Sequence, residues 1–139
     1  MREIILRATK EEMQKAMDLL EEELTLNNCA EILKMQFIIA FEELFVNIVH
    51  YAYDDNDGTV KMIYEFVKDE GEALVLKVDL IDSGIAYNPL DKAEPNIKLS
   101  TKERKIGGLG ILMAKKFLNE IIYERTNNQN CLSFTKKLG

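Results

Sequence analysis

Hydrophobic residues recur at intervals of three and four in three stretches of the chain, the spacing that places them on one face of an α-helix. Thr9 precedes the first stretch, and with Glu12 three residues later it forms the signature of a capping box. The second and longest stretch ends at a run of Asp, Asn and Gly residues that favours a turn. The pattern predicts helices over residues 10–26, 30–51 and 108–118.

Five shorter stretches are rich in aliphatic and β-branched residues and predict strands. Because short turn-forming loops join most neighbours, we expect an antiparallel or mixed sheet with the helices packed on one face. Residues 90–106 have no clear period, and a segment of this length is usually functional or mobile. The chain is thus expected to form one α/β (α+β) domain, residues 1–139, built as a two-layer sandwich. The predicted strands are 2–8, 60–67, 74–81, 120–125 and 132–137, the last two joined by a loop at 127–130.

Charge and cysteine content exclude several classes of function. The net charge of −6 argues against nucleic acid or an anionic membrane as the partner, since both attract basic surfaces. No apolar stretch approaches the length of about eighteen residues that spans a bilayer, and the N-terminus does not resemble a secretion signal. We therefore expect a cytoplasmic protein. Cys29 and Cys131 are far apart and lack metal-ligand spacing, so free thiols are expected rather than a disulfide or a zinc site.

A glutamate and an asparagine lie four residues apart on the second predicted helix. This spacing places Glu43 and Asn47 on the same face, one turn from each other. The Asn47 side-chain oxygen is a hard, neutral ligand that suits Mg²⁺, and the Glu43 carboxylate can take a proton from an attacking hydroxyl. The alternative is a solvated polar face without chemistry.

Asp82 follows the apolar strand at residues 74–81, so it lies at a strand end. A carboxylate there can accept a hydrogen bond from the exocyclic amine of adenine, and it would repel the oxygen that guanine presents instead. Gly84 would let the backbone approach the base or adopt a positive φ. The alternative is an ordinary turn, since Asp-Ser-Gly and Asn-Pro are common turn formers.

A Gly-Gly-Leu-Gly sequence at residues 107–110 begins the third predicted helix. Glycines at a helix start expose backbone N–H groups, and the helix dipole favours an anion there. Arg104 and Lys105 precede it and could neutralise phosphate charge. Neither a Walker loop nor a Rossmann fingerprint fits, since no Gly-Lys-Ser/Thr follows and no parallel βαβ unit surrounds it. A plain joint between loop and helix is the alternative.

In this order the three motifs resemble the GHKL (histidine kinase-like) ATPases. Glu43 and Asn47 resemble the N box of that family, residues 82–89 its first glycine box, and residues 107–111 its second. The similarity covers the whole length, and the bacterial anti-sigma-factor serine kinases are the most similar branch. The chain departs from the family at Ala86, where a Pro is frequent, and at Tyr51, where a His is frequent.

The resemblance implies a Bergerat-type fold that binds ATP and Mg²⁺ under a lid at about residues 90–106. It implies that Asn47 holds Mg²⁺, that Glu43 is the catalytic base and that Asp82 reads adenine. The same correspondence extends the nucleotide contacts to Gly84, Asn88, Gly108, Leu109 and Gly110, with Ser133 or Thr135 as a late polar contact to the base.

For function, the resemblance implies a serine kinase that phosphorylates an anti-sigma-factor antagonist, holds a sigma factor inactive and regulates transcription, usually as a homodimer. A second hypothesis is a nucleotide-gated binding module that sequesters a sigma factor or another regulator with little turnover. The presence of both Glu43 and Asn47 favours the kinase, because a domain that only binds has no need of the base.

Overall fold

The computed structural model of this protein describes residues 1–54, 56–91 and 108–139, and its elements follow the predicted order. Every strand pairing is antiparallel among these residues, and the sheet order is β1-β2-β3-β5-β4. The predicted α+β sandwich is confirmed. The elements are β1 (Arg2–Arg7), α1 (Lys10–Leu26), α2 (Glu31–Asn47), β2 (Thr59–Lys68), β3 (Leu74–Asp82), α3 (Gly108–Phe117), β4 (Glu120–Thr126) and β5 (Gln129–Lys137), with a π-helical turn at Ile48–Ala52 and a 3₁₀ turn at Pro89–Asp91.

One face of the sheet is buried under the helices, and the other is not covered by any described element. Successive side chains of a strand point to opposite faces, so alternate residues of β2, β3 and β5 form the core. Phe134 of β5 contacts two rings of α2, with centroid distances of 6.0 Å to Phe37 and 6.4 Å to Phe41. The other buried residues on this face of the sheet include Val60, Met62, Tyr64, Leu76, Val78, Leu80 and Leu132.

Helices α2 and α3 lie side by side and run in opposite directions. The carboxylate of Glu43, near the end of α2, lies against Gly110 in the first turn of α3. At the other end, the buried Lys136 ammonium donates to Gln36 Oε1 at 2.8 Å and also to the Phe117 carbonyl. The start of α3 is therefore held beside the last turns of α2, where the predicted catalytic residues lie.

Two local features differ from the sequence-based expectation. Helix α2 was expected to continue to residue 51, but α-helical geometry ends at Asn47 and the next turn is π-helical. The last hairpin also turns earlier than expected, at Asn127 and Asn128, which have φ values of 51° and 59°. Two successive left-handed residues make a tight two-residue hairpin, which Asn tolerates well. Strand β5 therefore begins at Gln129 rather than at residue 132.

Thr9 caps the start of α1, as expected, and Asn28 follows its end. Thr9 Oγ1 accepts the Glu12 N–H at 3.2 Å, and Asn28 has a left-handed φ of 58° just after the helix. Cys29 and Cys131 are free thiols, as expected. Within the described ranges, none of the helices has the length and apolar character needed to cross a bilayer.

Candidate functional site

Asp82 ends β3 inside the protein, with only 1% of its surface exposed. Its Oδ1 accepts hydrogen bonds from Asn130 Nδ2 at 2.9 Å and from the Gly84 N–H at 3.0 Å. Among the described residues, no hydrogen bond reaches Oδ2. The carboxylate is thus oriented through one oxygen, and its other oxygen can accept a hydrogen bond from a ligand.

Burial raises the pKa of Asp82, because a charged carboxylate is poorly solvated inside the protein. The hydrogen bonds from Asn130 and Gly84 and the positive charge of Arg125 act in the opposite direction and lower the pKa. A buried acceptor of this kind gains more from a ligand N–H group than an exposed one would, since water does not compete for it.

Asn130 was missed by sequence reasoning, which placed it in a loop. Its Nδ2 donates to Asp82 and, at 2.8 Å, to the Ile85 carbonyl. Its Oδ1 accepts the Tyr87 N–H at 3.2 Å and the Tyr123 hydroxyl. Asn130 therefore fixes both the carboxylate and the loop that follows it. The signal in the sequence was the Asn-Asn pair at 127–128, which extends β5 once it is recognised as a two-residue turn.

The loop after Asp82 is also fixed from both sides. The Ser83 N–H donates to the Tyr53 hydroxyl oxygen at 2.9 Å, and that hydroxyl donates to the Thr59 carbonyl at 2.6 Å. From β4, Arg125 Nη1 donates to the Gly84 carbonyl at 2.8 Å. Arg125 is thus a cation beside the site that the sequence did not indicate.

Gly84 has a steric role that differs from the expected one. Its φ is not left-handed, but a Cβ at this position would lie 2.9 Å from the Ala52 Cβ and would overlap the Ala52 carbonyl. The Ile85 N–H donates to that same carbonyl at 2.8 Å, which holds the loop against the π-helical turn. The glycine is therefore needed because two backbone segments approach each other here.

The Gly84→Ala variant is expected to lose about 1–3 kcal/mol of stability, since the added methyl group forces backbone apart in a packed region. Urea unfolding followed by circular dichroism measures this loss. Gly71→Ala is the matched control, because a Cβ there would meet only Asp69 Oδ1 at 3.5 Å, an ordinary contact. Equal stability of the two variants would contradict the steric role of Gly84.

Glu43 and Asn47 face the same region from α2. Asn47 is 0% exposed, and its Nδ2 donates to the Glu43 carbonyl at 2.6 Å. Its Oδ1 accepts the Tyr87 hydroxyl at 3.2 Å. Burial raises the pKa of the half-buried Glu43 carboxyl, and the negative charge of Glu42 raises that pKa further. A carboxylate with a raised pKa is a stronger base at neutral pH.

Helix α3 presents its first turn to Glu43. A Cβ at the buried Gly110 would overlap the Glu43 carboxylate, which would then have to move away from the start of α3. Leu109 is 49% exposed beside it, and Gly108 begins the helix. The free N–H groups of a helix start, together with the dipole, make this turn suited to an anion.

Sequence comparison matches residues 6–136 to the family described as the histidine kinase-like ATPase domain. This chain belongs to that family. The resemblance read from the three motifs is thereby confirmed at the level of the family, and the Glu43–Asn47 pair, the Asp82 loop and the start of α3 all lie within the matched range.

Two solved structures share the fold of this histidine kinase-like ATPase domain. One holds the RsbU and RsbW domains of Rv1364c from Mycobacterium tuberculosis, with a TM-score of 0.62, 16% identity and 99% of this chain covered. This chain spans 33% of that longer protein. The other is the SiaB–SiaC complex from Pseudomonas aeruginosa, with a TM-score of 0.55, 15% identity and coverage of 98% of this chain and 89% of the other. No relative was found among curated protein sequences.

Some predicted site residues of this ATPase domain are not brought to Asp82. Thr135 and Ser133 alternate with the buried residues of β5, so both lie on the opposite face of the sheet. Asn130, on the buried face, is instead the residue of the last strand that contacts Asp82. Asn88 Oδ1 accepts the Leu90 N–H at 2.9 Å and so caps the 3₁₀ turn.

Arg104, Lys105 and most of the predicted lid fall within residues 92–107, which lie outside the described residues.

Proposed function

We propose that this domain binds Mg-ATP and transfers the γ-phosphoryl group to a serine of a partner protein, an anti-sigma-factor antagonist. The observation that carries the proposal is an unbroken chain of contacts across the site. Asp82 contacts Asn130, Asn130 contacts Tyr87, and Tyr87 contacts Asn47. Asn47 in turn contacts Glu43, which lies against the start of α3.

Asp82 supports the nucleotide assignment at one end of this chain. Its unengaged oxygen is an acceptor at the end of a buried strand, which suits the exocyclic amine of adenine. Guanine presents an oxygen at the corresponding position. That oxygen has no proton to donate, so the negative charge of the Asp82 carboxylate would repel it. A site built to accept one hydrogen bond rejects a ligand that cannot donate it.

Asn47 and the start of α3 support the phosphate end. A neutral amide oxygen is a suitable ligand for Mg²⁺, which takes its remaining ligands from water and phosphate oxygens. Gly108, Leu109 and Gly110 would offer backbone N–H groups to the phosphates. Bound Mg-ATP supplies the phosphoryl group and neutralises part of its charge.

Glu43 supports the transfer step. In that step a serine oxygen of the partner forms a bond to the γ-phosphorus, the bond from this phosphorus to the leaving oxygen of ADP breaks, and Glu43 accepts the serine proton. The raised pKa of Glu43 favours this proton transfer at neutral pH. A domain that only binds nucleotide would have no use for a base beside the phosphate helix.

The related structures are consistent with a protein partner. SiaB was solved in complex with SiaC, and the RsbW domain was solved together with an RsbU domain of the same protein. By resemblance to the anti-sigma-factor serine kinases, we propose that the domain also sequesters a sigma factor and forms a homodimer. Because the net charge is −6, any docking surface for this partner lies on a protein that is negatively charged as a whole.

Calorimetric titration tests the nucleotide site directly. We expect ATP to bind more tightly with Mg²⁺ than without it, and GTP to bind at least about tenfold more weakly than ATP. Absence of binding by either nucleotide would contradict the proposal and leave a domain that acts through protein contacts alone. Mg-ATP binding without phosphorylation of any copurified partner would instead identify a nucleotide-gated binding module.

A further inference from the structure

Asn47 is inaccessible in the conformation described. The residue is 0% exposed, and its amide nitrogen is directed to the Glu43 carbonyl. The amide oxygen is therefore directed away from that carbonyl and accepts the Tyr87 hydroxyl at 3.2 Å. A magnesium ion requires direct contact with its oxygen ligands at about 2.0–2.1 Å. No ion can reach this oxygen while the surrounding side chains keep their present positions.

Tyr87 is held over Asn47 by contacts on two sides. Its ring stacks on Tyr51, with centroids 4.7 Å apart and planes inclined by 14°. Its backbone N–H donates to Asn130 Oδ1 at 3.2 Å, which connects it to the same amide that orients Asp82. The Tyr87 hydroxyl acts as the donor to the Asn47 oxygen, because a phenol keeps its proton at neutral pH.

The hydroxyl group of Tyr87, rather than its ring, determines whether the Asn47 oxygen has a hydrogen-bond partner. A phenol O–H occupies one acceptor position of the amide oxygen, whereas a phenylalanine ring at the same place would leave that oxygen without a partner. An unpaired buried oxygen is costly, so it gains more from a new ligand than a paired one does. The hydroxyl therefore competes with any cation for Asn47.

We propose that Tyr87 caps the metal-ligand oxygen of Asn47 in the nucleotide-free domain, and that Mg²⁺ binds Asn47 only after this hydroxyl is displaced. The inference rests on the proposed function, because it assigns the control of magnesium to that same site. Tyr87 is then a positioning residue that reduces the affinity of the empty site for Mg-ATP. A neutral hydrogen bond of this kind corresponds to roughly a two- to tenfold change in an equilibrium constant.

Tyr87→Phe tests the cap, since it keeps the ring that stacks on Tyr51 and removes only the hydroxyl. ATP affinity is measured by calorimetry with Mg²⁺ and with a chelator. In the variant we expect unchanged affinity without Mg²⁺ and roughly two- to tenfold tighter binding with it. The ratio of the two affinities isolates the effect on Asn47 from any general effect on folding.

Tyr123→Phe is the matched control. It also removes a single phenol hydroxyl from the same network, but that hydroxyl contacts Asn130 on the adenine side. Its effect on ATP affinity should be equal with and without Mg²⁺. A second readout needs no nucleotide: the NMR signals of the Asn47 side-chain amide should shift in Tyr87→Phe and stay unchanged in Tyr123→Phe.

The outcomes separate the cap from the function on which it rests. If the wild-type domain binds no ATP in either condition, both the proposed function and the cap are overturned. If the wild type binds Mg-ATP but Tyr87→Phe shows the same ratio of affinities, or a smaller one, only the cap is overturned. An unmoved Asn47 amide signal in Tyr87→Phe would also overturn it, because the contact would then be absent in solution.

Discussion

Asp82→Asn is expected to weaken ATP binding by roughly ten- to a hundredfold, the value of a hydrogen bond to a charged acceptor. The two hydrogen bonds from Asn130 and Gly84 both fall on Oδ1, which an amide oxygen can replace. Only Oδ2 changes, from an acceptor into an NH₂ donor. That donor would face the exocyclic amine of adenine, which is also a donor, so the contact becomes repulsive.

The same substitution should also change nucleotide preference. An amide donor can pair with the oxygen that guanine presents, so the ratio of ATP affinity to GTP affinity should fall in Asp82→Asn. Asp79→Asn is the matched control, since Asp79 lies on the same strand, pairs with Ser133 and points to the opposite face. Calorimetry with both nucleotides measures the two variants. Unchanged ATP affinity in Asp82→Asn would contradict the base-reading role.

The stability of Asp82→Asn shows whether a loss of ATP affinity comes from the lost contact or from unfolding of the domain. The folded-state pKa of Asp82 is raised above its ordinary value, so the folded protein binds the proton more tightly than the unfolded chain. Stability from this group is therefore greatest at low pH and falls as pH rises through the folded pKa. The neutral amide removes this fall, and the variant should be at least as stable as the wild type at neutral pH.

Local patterns predicted the elements of this fold because helices and strands depend on residues close in sequence. The spacing of Met13, Met17, Leu20 and Leu24 marks the buried face of α1, and each of these residues is buried. Helical spacing was enough to predict that Glu43 and Asn47 share one face, and the apolar strand before Asp82 was enough to predict its position at a strand end. These parts of the candidate site could be read from the sequence.

The remaining contacts of the site join residues far apart in sequence. Asn130 contacts Asp82 across 48 positions, and Tyr87 contacts Asn47 across 40. The first contact depends on the register of β5, which the turn at residues 127–128 sets, and a register error of one residue exchanges the two faces of a strand. Thr135 was assigned to the site from the family resemblance alone, which does not show on which face of β5 the residue lies.

The steric reason for the glycines at positions 84 and 110 could not be predicted from the sequence either. Gly84 was expected to serve the ligand or a positive φ, but its conformation is ordinary and its neighbour is the Ala52 carbonyl. Gly110 was expected to serve phosphates, and it also makes room for the Glu43 carboxylate. A motif shows that a side chain is excluded, whereas only the packed structure shows what excludes it.

Glu43→Gln is expected to abolish most phosphoryl transfer while ATP affinity stays within about threefold of the wild type. Loss of a general base reduces the rate by about a hundred- to ten-thousandfold. Glutamine has the size of glutamate, so it fits against Gly110 in the same space. Asn47 bonds to the Glu43 backbone carbonyl, which the substitution leaves in place, so the metal ligand keeps its orientation.

The pH dependence of transfer provides a further test of the same role. Protonation of Glu43 removes the base, and its pKa is raised by burial and then by Glu42, so the rate should fall at a higher pH than for an ordinary glutamate. Glu42→Gln is the matched control on the exposed neighbour. It should retain transfer at neutral pH and move the acidic fall in rate to lower pH, because it removes the like charge.

Two measurements distinguish a role in catalysis from a role in binding. The transfer of phosphate from labelled ATP to the partner reports the first, and calorimetry with ATP reports the second. Equal loss of transfer and of ATP affinity in Glu43→Gln would contradict the division of roles between Glu43 and Asn47. Retained transfer would show that the partner's serine needs no base, as a loose phosphoryl-transfer transition state allows. The shift of the pH profile in Glu42→Gln then decides whether Glu43 takes part in the reaction, since a residue that only packs against Gly110 would leave that profile unchanged.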